Sequence, residues 1–495
     1  MAILSTHPLL SILVSILIIN GFYNLSKFIS KNKYLIFLEN YAVSGKLISF
    51  FLIINFFSIL FYNFFLFFGI NKLLLQLLVI LLILIGFYKP FHIQELIKKF
   101  KSINNKIKLM LSLLIFGYFL MSLLPISDPD SLDYHLTVPH LSLLNNKFFI
   151  QKEWFHSQLA GAGEALIIFG LSINAYKLSS IIQFASLFLI IVAILNLKHK
   201  KNLFSIDSKI LVCLSILCIP SFLYLTFTTK PQLFSIGTNF VAFLITFFML
   251  PLENNKKKSI IIFSIVSFLC LCSTQFKFSF FLSSGIILLL AFFEMVKKKL
   301  FTKSLIITLF FFLIIIFPRE YFDYKNFRKN IINNFFQPVT DNYSAESFVE
   351  SLKNGTGNPR YLPYWLFVPY YINQFTLGVI TEILGLSVLI FLVNFKFKPV
   401  KKIILSSIIF FVLAIPMGQP MGRFFIEPFL WLAVGSVYYL TLKNNLILKI
   451  FKKLIMINSM IILIIITFAL INFLPGVFSI ENHKKVLRKY SDGYK

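Results

Sequence analysis

The stretch KLMLSLLIFGYFLMSLLPISDPDSLDYHL, Lys108 to Leu136, poses the fold problem in one line. Up to Pro125 it holds a single charge, Lys108, in a run long enough for one helix to cross a bilayer hydrocarbon core of about 30 Å. Directly after it come Asp128, Asp130 and Asp133 with His135. Apolar residues that enter lipid and acids that do not must separate near Pro125, so this stretch predicts a helix ending at a membrane surface.

The same pattern recurs outward in both directions. The chain has 495 residues, 58% hydrophobic and 13% charged, against roughly 25% charged in a typical soluble domain. Apolar runs and their breakers predict an all-α polytopic membrane protein with about fourteen spans, at 8–26, 47–69, 72–90, 108–125, 177–197, 209–227, 234–252, 258–274, 279–296, 303–318, 376–395, 402–416, 424–441 and 453–473. These spans read as uninterrupted.

The net charge of +28 does not point to nucleic acid, because the lysines fall in short bursts between apolar runs instead of forming a stripe. Cys213, Cys218, Cys270 and Cys272 lie inside apolar segments, which argues against a disulfide framework or a Cys metal site. Met1 to His7 has no Lys or Arg ahead of its apolar run, unlike a cleavable signal peptide.

Alternate connectors divide sharply by charge. One set holds Lys27, Lys31, Lys33, Lys46, the stretch 89–108, Lys198–Lys209, Lys256–Lys258, Lys297–Lys303, the stretch 396–402 and the stretch 443–453, together 29 of 47 basic residues. An excess of Lys and Arg marks cytoplasmic loops. The other side receives 13 of 19 acidic residues, both termini and the two long loops, 127–176 and 319–375. The basic tail from Glu481 to Lys495 fits this rule poorly.

Within the first long loop, Leu159 to Ile173 is apolar but too short to span comfortably. It is expected as a helix lying in or along the outer interface. The second long loop, rich in Asn, Tyr and Pro, is expected to cap the outer face. No Gly-rich phosphate loop or nucleotide-binding unit is present, so a nucleotide-activated donor is not indicated.

Asp128, Asp130, Asp133, His135, His140 and His156 lie within 30 residues. Carboxylate and imidazole are common general bases and also metal ligands, and spacing alone does not separate the two uses. An acidic loop also serves plain solubility, which is the better reading for His140. Asp128 or Asp130 reads equally as the N-cap of a helix starting near Ser131. Lone cations stand at three further outer span ends: Lys230 in TTKPQL, Lys277 in STQFKFS and Arg423 in PMGRFFIEP. Each could snorkel to headgroups, but three around one acidic loop form an anion site suited to a lipid-linked phosphate. Arg319 and Glu427 are weaker candidates of the same kind.

In order and sidedness these motifs resemble the GT-C superfamily of integral membrane glycosyltransferases, which includes protein O-mannosyltransferases and lipid A aminoarabinose transferases. A helix ends at Leu124-Pro125, DPDSLDYHL opens a long external loop with interfacial helices, and the next span returns to a basic end, KHKK. STQFKFSFFL, TGNPRYLP and MGRFFIEP follow, similar to the family's Thr-Lys-hydroxyl hairpin, a loop element and its Arg-aromatic-x-x-Pro element. The likeness covers roughly 108–440, leaving 1–107 as an N-terminal three-helix extension and 441–495 as a last span with its external tail.

The resemblance implies an inverting glycosyltransferase of a bacterial inner membrane with its site on the periplasmic face. A sugar would pass from a polyprenyl-phosphate carrier to a hydroxyl of an envelope acceptor: lipid, glycan or protein. It makes Asp130 the general base, with Asp128 and Asp133 as fallbacks, and gives the departing phosphate to Lys230, Lys277, Arg423 and Arg319. His135, His156 and Glu164 become supporting residues or ligands of a divalent metal ion. One departure stands out: His156-Ser157-Gln158-Leu159 replaces the Glu-Lys-Pro-Pro of aminoarabinose transferases, so that family's lysine contact has no counterpart. An O-antigen polymerase or ligase, and a lipid or solute transporter, are the alternative classes. The acidic cluster argues against the first and the uninterrupted spans against the second.

Overall fold

The structure is a computed structural model describing residues 7–32, 35–40, 44–88, 105–151, 154–197, 206–327, 385, 388, 400–414, 422–442 and 446–491. Among these residues all regular structure is helical. A backbone amide in lipid finds no water, so a chain this apolar bonds its amides within each helix.

Numbered over the described residues, the helices are α1 (Pro8–Ser30), α2 (Gly45–Phe67), α3 (Lys72–Tyr88), α4 (Asn105–Leu123), α5 (Thr137–Leu144), α6 (Phe155–Gln158), α7 (Ala162–Leu171) and α8 (Leu178–Asn196). There follow α9 (Ile206–Leu217), α10 (Pro220–Phe227), α11 (Gln232–Phe248), α12 (Lys256–Phe276), α13 (Phe281–Lys297), α14 (Phe301–Ile315) and α15 (Phe317–Phe327). The last are α16 (Lys401–Ala414), α17 (Ile426–Leu442), α18 (Leu446–Phe473), α19 (Pro475–Phe478) and α20 (Ile480–Tyr490).

Eight of these helices are long and apolar enough to cross a membrane, or ten if each of two bent pairs is one crossing. The chain is therefore a multi-pass membrane protein by length and composition. Helices lie at thirteen of the fourteen expected positions, but among the described residues fewer qualify as crossings: α3, α16 and α17 have only 17, 14 and 17 residues, whereas adjoining 3-10 turns lengthen α11 and α13 to 21 and 20. The span expected at 376–395 and most of the second long loop lie outside the described residues.

Two expectations are corrected. The spans are not uninterrupted: α9 and α10 meet at 67°, and α14 and α15 at 42°. Pro220 and Pro318 follow these breaks, and a proline nitrogen has no proton for the helical ladder. Nor does the short apolar segment lie along an interface, since every residue of α7 is buried. A helix apolar on all sides belongs inside the protein, and α7 packs among α2, α5, α8 and α12.

Within the first three helices, α1 and α3 pack backbone to backbone. A Cβ on Gly21 would come within 2.2 Å of the Leu82 carbonyl oxygen, and one on Gly86 within 2.3 Å of that of Leu17. The bare backbones let α1 and α3 touch, and Asn20 Nδ2 donates across the crossing to the Gly86 carbonyl at 2.5 Å.

Helix ends assigned to the outer side by charge alternation gather at one face. The Ile70 amide donates to the Asn146 carbonyl at 2.7 Å, joining the α2–α3 turn to the acidic loop. The Lys177 amide donates to Ser11 Oγ at 3.0 Å, joining α8 to α1. Gly476, beyond α18, lies so close to Pro125 that a Cβ would be 2.6 Å from its ring. The basic tail thus sits on the face of the acidic loop.

Candidate functional site

Past α4, Asp128 turns back on the chain. Its carboxylate accepts from the Ser131 amide at 2.9 Å and the Ser131 hydroxyl at 2.8 Å, and also from the Tyr224 hydroxyl. It thereby caps a π-helical turn, Ser131–His135, closed by the Leu136 amide on the Ser131 carbonyl at 3.0 Å. Such turns are rare and concentrate at functional sites. The two capping candidates now separate: Asp128 is buried and fully bonded, whereas the Asp130 side chain is 46% exposed and caps nothing.

Four pairs, two of a carboxylate with an amine and two of a carboxyl group with an imidazole, tie the acidic segment to other elements. Lys230 Nζ, from the α10–α11 connection, stands 2.7 Å from Asp130 and 3.5 Å from Asp128. It also donates to the Tyr224 hydroxyl, which in turn donates a hydrogen bond to Asp128. Asp133 meets His156 Nδ1 of α6 at 2.5 Å. His135 Nδ1 meets Glu164 Oε1 of α7 at 2.6 Å, and Glu164 Oε2 accepts the Gly161 amide at 2.7 Å.

Burial shapes the last pair. It pushes the Glu164 carboxyl up to about 7 and holds His135 well below the usual imidazole range. Lys277, Lys230 and Arg423 push His135 the same way. His135 Nε2 is buried without a hydrogen-bond partner.

Lys277 and Arg423 complete the group. Lys277 Nζ reaches Gln232 Oε1 at 3.4 Å and lies 5.6 Å from the Phe424 ring centre. The Arg423 guanidinium lies 5.6 Å from the Tyr224 ring and 5.4 Å from that of Phe424. Gln232 Nε2 bonds the Arg423 carbonyl at 3.3 Å, tying the two cationic segments together. Among the described residues neither Lys277 nor Arg423 forms an ion pair, and Arg423 Nε is buried without a partner. Burial, then the charges of Arg423 and Lys230, push the Lys277 amine down to about 7. Burial alone would raise the Asp130 carboxyl, but Lys230, Arg423 and Lys277 together hold it below its ordinary value.

Glycines set this arrangement. A Cβ on Gly161 would fall 2.5 Å from the Gln275 carbonyl oxygen, and one on Gly163 2.4 Å from the Pro231 ring. Lacking side chains there, α7 wedges directly between the hairpins that carry Lys230 and Lys277.

The structure thus brings together Asp130, Asp128, Lys230, Lys277 and Arg423, and seats Asp133, His135, His156 and Glu164 around them. Arg319 stands differently. Its guanidinium donates to Asp323 at 2.6 Å, Tyr62 at 2.6 Å and the carbonyls of Ala160 and Gln158 at 2.9 Å, so its donors are spent on holding the entry to α7. Glu427 accepts from Asn239 Nδ2 at 3.0 Å inside the bundle. Among the described residues no three His, Cys, Asp or Glu side chains converge to hold a metal ion, because imidazoles and carboxylates here are used up in pairs. The residues present do not fit the divalent ion raised from sequence.

Sequence reading missed Tyr224, which joins Asp128 to Lys230 and faces Arg423, and Gln232, which joins Lys277 to Arg423. Tyr224 lies six residues before Lys230 in an apolar run, where a tyrosine reads as core.

The profile of the DUF1420 N-terminal domain matches residues 9–487. The chain belongs to the DUF1420 family. Its match runs from α1 into α20, so in the DUF1420 unit the first three helices and the tail helix stand together with the acidic loop. No curated protein and no solved structure matches the chain.

Proposed function

We propose that this DUF1420 protein is a membrane glycosyltransferase that moves a sugar from a polyprenyl-phosphate carrier to a hydroxyl of an envelope acceptor at the extracytoplasmic face. One observation supports this above the others. A solvent-reachable carboxylate, Asp130, sits among three cations, two of which have no counter-ion among the described residues. A buried or half-buried cation without an anion is costly, and a phosphate is the anion that a lipid-facing rim would meet.

The acceptor oxygen attacks the anomeric carbon as the bond from that carbon to the phosphate oxygen breaks. The acceptor proton passes to Asp130, and the bonding pair leaves on the phosphate. Lys277, Arg423 and Lys230 neutralise the charge that grows there. The cations keep Asp130 ionised but also make it a weak base. Incoming phosphate would divert Lys230 and raise that basicity when it is needed. Asp128 and Tyr224 hold Lys230 in place. The likeness in motif order to GT-C enzymes supports the same reading.

The bent pairs α9–α10 and α14–α15 favour a second reading, a transporter built on broken helices. The deciding experiment supplies labelled polyprenyl-phosphate sugar to vesicles bearing the protein and follows the label. Covalent transfer to an acceptor with release of polyprenyl phosphate supports the enzyme; movement of intact donor between leaflets without transfer supports the transporter and ends the enzyme reading.

A further inference from the structure

The tail that violates the charge rule forms an amphipathic helix, α20, with two unlike faces. His483, Val486 and Leu487 are buried. Leu487 clusters with Ile126 and Leu136, which flank the acidic turn, and the His483 ring meets Tyr176 edge-on at 6.0 Å. Both ends are fixed: Ser479 Oγ accepts the Asn482 amide at 3.1 Å, and the Tyr490 hydroxyl donates to Asn472 Oδ1 at 2.9 Å. The orientation of the helix is therefore set by its seat. Its other face presents Lys484, Lys485, Arg488 and Lys489, all exposed. Glu481 pairs with Lys485 at 2.8 Å, and the other three cations of that face form no ion pair among the described residues.

The neighbouring surface of α18 and α19 is apolar. Phe468, Ile471 and Phe478 are 60%, 70% and 58% exposed, an apolar surface that in a membrane protein meets acyl chains. The first basic residue, Lys484, comes six residues after Phe478, and the Tyr490 ring lies 4.6 Å from that of Phe473, so α20 lies back beside the end of α18. The charge rule disfavours Lys and Arg on the side away from the cytoplasm, so a basic helix on the face assigned there calls for an anionic partner.

We infer that α20 is a docking rail for the phosphate headgroups of anionic bilayer phospholipids, on the face of the acidic loop and adjoining it. The attraction is electrostatic and local, roughly fivefold to tenfold in partition for each uncompensated cation near a surface, and weakens with salt. It does not depend on the sugar-transfer reading.

The test uses the full-length protein with Asn482→Cys labelled by a fluorophore; the four native cysteines are buried. In proteoliposomes of phosphatidylcholine with one-quarter phosphatidylglycerol, nitroxide-labelled forms of each lipid are compared as quenchers. Phosphatidylglycerol should quench several-fold more effectively than its molar fraction predicts. The excess should vanish at high salt and in Lys484→Gln/Lys485→Gln/Arg488→Gln/Lys489→Gln, whose thermal midpoint should hold because these side chains are exposed. Equal quenching by both lipids overturns the inference. So does an excess that survives the fourfold substitution.

Discussion

Asp128 and Asp130 are two residues apart and chemically identical, yet one is buried and fully bonded and the other half exposed, so under the proposed function their asparagine variants should fail in opposite ways. Asp130→Asn removes the proposed proton acceptor. General-base help amounts to about 10²–10⁴-fold, or about 3–5 kcal/mol of barrier at about 1.4 kcal/mol per decade. Its folding cost is small, because a pair in which one partner is 46% exposed is screened by solvent and is worth about 1 kcal/mol or less. Asp128→Asn instead weakens three hydrogen bonds to a buried carboxylate, from Ser131 twice and Tyr224 once. Bonds to charged groups contribute about 1.5–3 kcal/mol each, and the amide retains one acceptor oxygen, so a loss of about 2–4 kcal/mol is expected. The assay pairs label transfer in vesicles with thermal unfolding of the same preparations in detergent. Asp130→Asn should abolish transfer with its midpoint nearly unchanged. Asp128→Asn should lower the midpoint by several degrees and retain transfer in whatever fraction stays folded. Full activity in Asp130→Asn, or an unchanged midpoint with lost activity in Asp128→Asn, would refute the division of labour.

Other outcomes follow from the same geometry. The Lys277 amine, pushed down to about 7, is cationic below that pH and neutral above it, so affinity for polyprenyl phosphate should fall as pH rises from 6 to 8.5. Lys277→Arg, which stays charged, should flatten that profile, and a profile unchanged by the substitution would count against the assignment. Arg319→Gln leaves buried Asp323 without its partner; the cost of breaking such a pair, about 3–5 kcal/mol, should appear as poor folding yield instead of weakened phosphate binding. Gly161→Ala should push the Lys277 hairpin away from α7, weakening polyprenyl-phosphate binding with the protein still folded, as binding titration and thermal unfolding can report together.

Much of this was legible in the sequence because lipid imposes simple rules. Apolar length fixed where helices form, and the sparse charges Lys230, Lys277 and Arg423 stood out because the bilayer leaves charges few places to go. What stayed hidden were relationships across elements. Glu164 and His135 are 29 residues apart, and nothing in either segment announces that they hydrogen-bond. The sequence around α7 shows length and apolarity but not that Gly161 and Gly163 let it sink between two hairpins. Arg319 looked like Lys230 or Arg423, an isolated cation at a span end; only packing reveals that Asp323, one turn later, and Tyr62, in α2, consume it. The bends at Pro220 and Pro318 were visible as prolines, yet hydropathy averages over them.

The central claim is that Lys277 and Arg423 are held ready for a lipid-linked phosphate. It is tested most directly by comparing the affinities of polyprenyl phosphate and uncharged polyprenol for the purified full-length protein. The phosphate should bind far more tightly than the alcohol, and Lys277→Gln/Arg423→Gln should bring the two together. Equal affinity in the wild-type protein, or a phosphate preference undiminished in the double variant, would contradict the account.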